Sequence, residues 1–211
     1  VNIDLKTREP KSRRKKLRII RIGTSGALQE DIALGSYLVT DYAVGFDNLM
    51  AFYDLKQDDV ERSIGEDLKK KIKLPFTPYV VKGSEALRKQ IGSDMIVGNT
   101  ITAPGFYAPQ GRSIRVPIKY PKLLDSLNAY HHKAADFWLA NFEMETAGYY
   151  AMARILGHEA LSANAIIANR IKNKFSKDPN AIVEGLINFR SRSGMDMKKS
   201  QFLTSCSRSA G

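Results

Sequence analysis

Three short stretches of this chain gather side chains that can do chemistry. In the first, Arg21-Ile22-Gly23-Thr24-Ser25-Gly26 sets a guanidinium, two hydroxyls and several reachable backbone N–H groups within six residues. Arginine offers a two-pronged donor and glycine lets a backbone come close, so together these groups can satisfy the oxygens of a phosphate. The same residues also make an ordinary glycine turn at the end of a strand. The stretch lacks the Gly-Lys-Ser/Thr ending of a Walker loop and is not the dinucleotide fingerprint. In the second, Asn141-Phe142-Glu143-Met144-Glu145-Thr146 puts two carboxylates two residues apart ahead of an apolar helical pattern. If extended, both acids point to one side, where they can accept from vicinal sugar hydroxyls and favour positive charge on a ribose ring. At a helix start they serve instead as charges matched to the dipole, the plain surface-helix alternative. The third group is Phe106, Gln110 and Arg112, in an excursion rich in proline and glycine. An aromatic face, an amide that both donates and accepts, and a donating guanidinium suit a pyrimidine edge, although all three types are common in surface loops.

Other candidates read more plainly. His131 and His132 are adjacent on a predicted helix and cannot share one face, and His158 lies far along the chain, so no metal set is expected. Cys206 sits in a serine-rich stretch and is not expected to react. Phe137 and Trp138 are expected to pack a helix against the sheet.

The elements that must position these groups follow from periodicity and punctuation. Leu17–Ile22 reads as a buried strand running into the glycine turn, and Gly35–Val44 as a second strand interrupted by Asp41. Asp58–Lys73 is charged, with Val60, Ile64 and Leu68 four apart, and predicts a surface helix ending before Pro75. Tyr79–Val81 and Met95–Ile101 read as strands, with a helix over Ser84–Ile91 between them that ends at Gly92. Ala103–Pro121 is a long structured excursion. Helices are predicted over Leu123–Trp138, Glu145–Leu156 and Asp178–Ile187, the last with Pro179 in its first turn, and a strand over Ala163–Ala168. Val1–Leu5 fits either a last helical turn or a strand edge, and Lys6–Lys16 an exposed connection. Helices recurring between strands imply crossovers in a single α/β sheet. The expected division is a basic connection or insertion at 1–16, the folded domain at 17–188 and a disordered tail at 189–211.

Composition bounds the rest. The 211 residues are 43% hydrophobic, enough for one core, and no apolar run approaches the length of a membrane helix. The net charge of +11 raises nucleic-acid binding as an option. Yet residues 1–16 carry seven Lys or Arg against two acids, and 190–211 carry five against one. The basicity therefore belongs mainly to the two ends, and nucleic acid is not the expected partner. A single cysteine and no apolar leader fit a cytoplasmic setting.

Four runs in order carry a resemblance. Arg21–Gln29, Phe106–Arg112, Phe142–Thr146 and Ile167-Ala168-Asn169-Arg170 together resemble the nucleoside phosphorylase family, and the second and fourth resemble its uridine-cleaving branch. The resemblance covers roughly residues 17–187. It implies a single-domain α/β fold with a central mixed, partly barrel-like sheet flanked by helices, here without its N-terminal part. It implies reversible phosphorolysis of uridine or a related pyrimidine nucleoside to uracil and ribose 1-phosphate. Inorganic phosphate is then the co-substrate, with no metal or organic cofactor. By motif, Arg21 and Thr24 are similar to phosphate ligands. Glu143, Met144 and Glu145 resemble the ribose-binding trio, with Glu145 clasping the sugar hydroxyls. Phe106 would pack near base and sugar, Gln110 and Arg112 would read the uracil edge, and Arg170 would support that network. Asn169 stands where purine-cleaving members have an aspartate that protonates the base. Members form dimers or hexamers that share sites across subunits, so a homo-oligomer is expected. An early phosphate loop, a second phosphate-binding arginine and residues of a neighbouring subunit have no counterpart that the motifs identify. A catalytically weakened nucleoside-binding paralogue and a purine phosphorylase or nucleosidase are the competing readings.

Overall fold

The computed structural model describes residues 2 to 192. In chain order the strands are β1 (Arg18–Ala27), β2 (Tyr37–Gly45), β3 (Tyr79–Lys82), β4 (Ile96–Thr102), β5 (His131–His132), β6 (Phe137–Glu143), β7 (Glu159–Asn169) and β8 (Lys174–Phe175). The helices are α1 (Asp59–Ile72), α2 (Glu85–Ile91), α3 (Leu123–Asn128), α4 (Thr146–Ile155) and α5 (Pro179–Arg192). They make a single α/β domain. Pairings β2–β4, β4–β6 and β1–β7 are parallel, while β1–β6 and β2–β7 are antiparallel. The last of these joins the two sides of the sheet, so β1, β7, β2, β4 and β6 close into a five-stranded barrel with β3 and β8 as outer strands. Closure leaves the barrel strands without a free edge.

The glycines of the first motif do not form the expected turn. β1 runs through them because it is hydrogen-bonded in parallel to β7 along its length, and the irregularity is taken up by a register shift between Ser25 and Gly26. Asp41, which interrupts the second apolar run, coincides with a similar shift between Thr40 and Ala43 where β2 meets β4.

The helix expected over Leu123–Trp138 is also corrected. It stops at Asn128, and after it His131 and His132 pair with Trp138 and Phe137 across a tight turn with Asp136 at φ 45°. Alternation then sends Phe137 into the core and leaves Trp138 45% exposed, stacked on His131 with ring centroids 3.9 Å apart, so Trp138 does not pack against the sheet as expected. α5 extends to Arg192, beyond the pattern read as ending at Asn188, and the rest of the expected tail lies outside the described residues. Residues 2–16 fold back on themselves in solvent: Ile3 bridges Pro10, and the Asn2 side chain both donates to and accepts from the Lys15 backbone.

Helices cover the barrel on several sides. Ile64 and Leu68 of α1 pack with Val44, Ile101 and Phe142, and Leu87, Ile91 and Leu186 cover Val39 and Ala163. Ala147, Tyr150 and Ala151 place α4 against Ala43 and Val81. α1 begins with a reciprocal cap in which Asp58 accepts from the Glu61 N–H and Glu61 accepts from the Asp58 N–H. Glu61 is fully buried and also accepts from the Lys82 N–H at 2.8 Å and, with both oxygens, from the Arg154 guanidinium at 2.6 and 2.7 Å. This pair ties the C-terminal end of α4 to α1 and β3. Removing Arg154 would strand the fully buried Glu61 carboxylate, and a stranded buried charge typically costs about 3–5 kcal/mol. Urea denaturation of Arg154→Ala is therefore expected to show a loss of that size.

Candidate functional site

The site is organised around the start of α4, and the two carboxylates of the second motif divide the work there. Glu143, the last residue of β6, is 4% exposed; its Oε2 accepts from the backbone N–H of Glu145 at 2.9 Å and of Thr146 at 2.8 Å. Its Oε1 accepts from the Thr102 hydroxyl at 2.5 Å, and Thr102 Oγ1 in turn accepts from the Ala147 N–H at 2.8 Å. Glu143 and Thr102 thus satisfy donors that a helix start leaves open. The helix-start alternative holds for Glu143, which caps, while the Glu145 carboxylate stays 39% exposed.

Arg21 lies between these acids and β7. Its Nη2 is 2.5 Å from Glu145 Oε2 and 3.2 Å from Glu143 Oε2; its Nη1 donates to Ser162 Oγ at 3.2 Å and Asn164 Oδ1 at 3.0 Å. The guanidinium lies flat over Gly23, where a Cβ would stand 2.5–2.6 Å from its atoms. Gly23 is therefore needed for the space above it. Arg21, Gly23 and Ser25 share one face of β1, so Thr24 falls on the other; it is exposed and does not join this hydrogen-bonded group.

The third motif forms a second centre. The Gln110 side chain is 5% exposed, and its Oε1 accepts from Arg112 Nη1 at 2.7 Å and from Arg170 Nη1 at 3.3 Å. Arg170 Nη2 also donates to the Gln110 carbonyl at 2.9 Å. An arginine only donates, so this arrangement fixes which end of the amide is oxygen. Arg112 stacks 3.7 Å over the Phe106 ring and donates to the Phe106 carbonyl at 2.5 Å. The Arg170 chain passes over Gly26, whose missing Cβ would lie 3.0 Å from it. Burial, and then the charge of Arg112, push the Arg170 guanidinium down to about 10; burial also lowers Arg112. Both remain cations near neutrality. With Gln110 they present a donor-rich surface, suited to carbonyl oxygens or developing negative charge.

Met144, 41% exposed, and Glu145 line a cleft of about 380 Å³ with Asp47, Asn48, Phe52 and Thr102. A neighbouring cleft of about 540 Å³ shares Asp47, Asn48 and Pro104 and continues past Phe76 and Tyr79. The sequence reading missed Thr102, Ser162 and Asn164, which hold Glu143 and Arg21. The last two carried a signal, since polar residues in the Ala/Ile-rich run of β7 have to be satisfied inside the fold. Among the described residues no group of three or more His, Cys, Asp or Glu can hold a metal, and no helix is long and apolar enough to cross a membrane.

The site is thus an α/β barrel carrying an arginine between paired acids and a glutamine between two arginines. The sequence signature of the Phosphorylase superfamily matches residues 15–195, and the chain belongs to that family. Among curated relatives it is 30% identical over 161 residues to a uridine phosphorylase of Thermococcus kodakarensis, covering 75% of this chain and 50% of that one. It is also 30% identical over 146 residues to a DeoD-type purine nucleoside phosphorylase of Vibrio parahaemolyticus, covering 69% and 48%. The chain thus spans about half the length of these relatives. The fold is shared with a Trypanosoma brucei nucleoside phosphorylase that shows uridine phosphorylase activity, with a TM-score of 0.78 at 21% identity over 91% of this chain and 72% of that one. Isoform 2 of Schistosoma mansoni uridine phosphorylase aligns with a TM-score of 0.55 at 22% identity over 83% and 58%.

Because a methyl group at residue 23 would collide with the end of Arg21, Gly23→Ala is expected to displace the guanidinium from its buried partners and so to lower the urea midpoint. Titration with inorganic phosphate should then show weakened binding in a folded protein.

Proposed function

We propose that this chain supplies the ribose and base pockets and one phosphate-binding arginine of a nucleoside phosphorylase acting reversibly on uridine or a related pyrimidine nucleoside. The observation that carries the reading is the Gln110 amide, whose oxygen is held by Arg112 and Arg170 in a donor-rich group beside the Phe106 ring. Uracil, with two carbonyls, suits such a surface. In this reading Arg21 holds phosphate, Glu145 clasps the ribose hydroxyls beside Met144, and Phe106 packs against base and sugar, while Thr24, on the other face of β1 from Arg21, takes no direct part. Glu143 acts through the α4 start and Arg21. A phosphate oxygen bonds to the anomeric carbon as the glycosidic bond to the base nitrogen breaks. The electron pair leaves with uracil, where Gln110, Arg112 and Arg170 stabilise it, and solvent supplies the proton. No enzyme nucleophile takes part; the residues orient the reactants and stabilise charge.

The purine-cleaving relatives favour a second reading, phosphorolysis of a purine nucleoside. Against it stands Asn169, whose NH₂ donates to the carbonyls of Gln29 and Ile32 and whose oxygen accepts from the Lys172 N–H. That amide is occupied by backbone and has no acidic proton for a purine. The proposal includes a cytoplasmic homo-oligomer, dimer or hexamer, with no organic cofactor or metal.

The test is an assay with uridine and inosine, each with and without phosphate, following free base and ribose 1-phosphate. Phosphate-dependent uracil formation is expected. Inosine cleavage without uridine cleavage would assign the purine reading, and uridine binding without turnover a nucleoside-binding paralogue. Arg21→Ala and Arg112→Ala should each reduce turnover of uridine by about 10²–10³, the usual effect of removing one such donor. Arg21→Ala should also lose its dependence on phosphate concentration.

A further inference from the structure

Behind Arg21 a series of buried side chains passes once around the inside of the barrel, with one residue from each strand. Arg21 on β1 donates to Asn164 Oδ1 on β7 at 3.0 Å, and Asn164 Nδ2 donates to Thr40 Oγ1 on β2 at 3.1 Å. Thr40 and Thr100, on β4, share a hydroxyl contact of 2.6 Å; Thr100 donates to Asn141 Oδ1 on β6 at 2.8 Å. Asn141 Nδ2 ends the series on Ser25 Oγ, back on β1, at 2.8 Å. Thr40, Thr100, Asn141 and Asn164 are fully buried and Ser25 is 5% exposed. Side chains from five strands of a closed barrel can meet in this order only in its interior.

The sense of the series is fixed at one end. A guanidinium has no acceptor, so the Asn164 oxygen must face Arg21 and its NH₂ must face Thr40. Thr40 then donates to Thr100, which has its own hydrogen free for Asn141. Each amide is held in one orientation by the next member, and apolar packing could not supply this because it is indifferent to a half-turn of an amide. Of the other partners of Arg21, Glu143 holds Nη2 from the α4 side at 3.2 Å, so the orienting acceptor for Nη1 on the barrel side is Asn164. Ser162 also accepts from Thr146, and Glu145 faces the cleft, where a ligand can compete for it.

We propose that Asn164, oriented by Thr40 and the polar series behind it, is a positioning residue that holds the Arg21 guanidinium in place to receive phosphate. The inference rests on the nucleoside phosphorylase reading for its assay but not for its geometry. Its test uses Asn164→Ala, which removes the acceptor; Thr40→Val, which keeps the shape but breaks the series one bond further back; and Thr40→Ser, which restores the hydroxyl. Asn164→Ala is expected to raise the KM for phosphate about tenfold, the size of one hydrogen bond to a charged group, with the KM for uridine within about twofold. Thr40→Val should move the same parameter in the same direction, and Thr40→Ser should return it towards wild type. A purely structural role would lower urea midpoints without separating the two KM values. Folded Asn164→Ala or Thr40→Val protein with the wild-type KM for phosphate overturns the proposal, as does a Thr40→Ser variant no better than Thr40→Val. If the wild-type chain cleaves no nucleoside, calorimetric titration of the same four proteins with inorganic phosphate decides. Weaker binding in Asn164→Ala and Thr40→Val, restored in Thr40→Ser, keeps the positioning role while the proposed reaction falls; equal binding in all four, or none in the wild type, overturns it.

Discussion

A guanidinium can only donate, and in this fold Arg21 is set where nearly every direction around it is protein. It therefore needs acceptors on more than one side, and the barrel delivers them from separate parts of the chain. The parallel pairing of β1 with β7 puts Arg21 opposite Ser162, with Asn164 one step further along the same face. The end of β6 brings Glu143, and the first turn after it brings Glu145. A mostly buried cation without such partners would be strongly destabilising, so the register of the strands and the placement of the charge depend on each other.

The same economy governs the α4 start. One carboxylate, Glu143, serves the open N–H groups of the helix, the hydroxyl of Thr102 and the guanidinium of Arg21. With those demands met, Glu145 keeps an oxygen turned towards the cleft. At the other end of α4, Glu61 and Arg154 fix the helix to α1 and β3, so the residue facing the cleft is carried on an element held at both ends.

Much of this was legible in the sequence where a residue's type alone limits its use. The strands around Leu38–Val44 and Ala163–Ala168 and the helix after Asp58 follow from apolar patterning, and Arg21, Glu143, Glu145, Gln110 and Arg112 from polar groups beside glycine or a helix start, whereas Arg170 follows from the family resemblance alone. The glycine stretch after Arg21 was misread because local turn chemistry competes with strand pairing, and ten residues of β7 lie alongside to decide the contest. The Leu123–Trp138 segment was misread because its apolar spacing fits a helix, whereas the pairing of His131 with Trp138 is a tertiary fact. The roles of Thr102, Asn164 and Ser162 were hidden for a different reason. Hydroxyl and amide residues are ordinary in any strand, and only the arrangement of five strands around one interior shows that they are linked.

The two arginines that share the Gln110 oxygen carry a consequence for the proposed reaction. Burial depresses both guanidinium groups, and the charge of Arg112 depresses Arg170 further, so two partly desolvated cations stand beside one neutral acceptor. In that reaction a neutral base beside them would relieve little of this opposition, whereas a base that has taken on an electron pair would relieve more. The group would then select for a stage of the reaction as well as for a molecular shape.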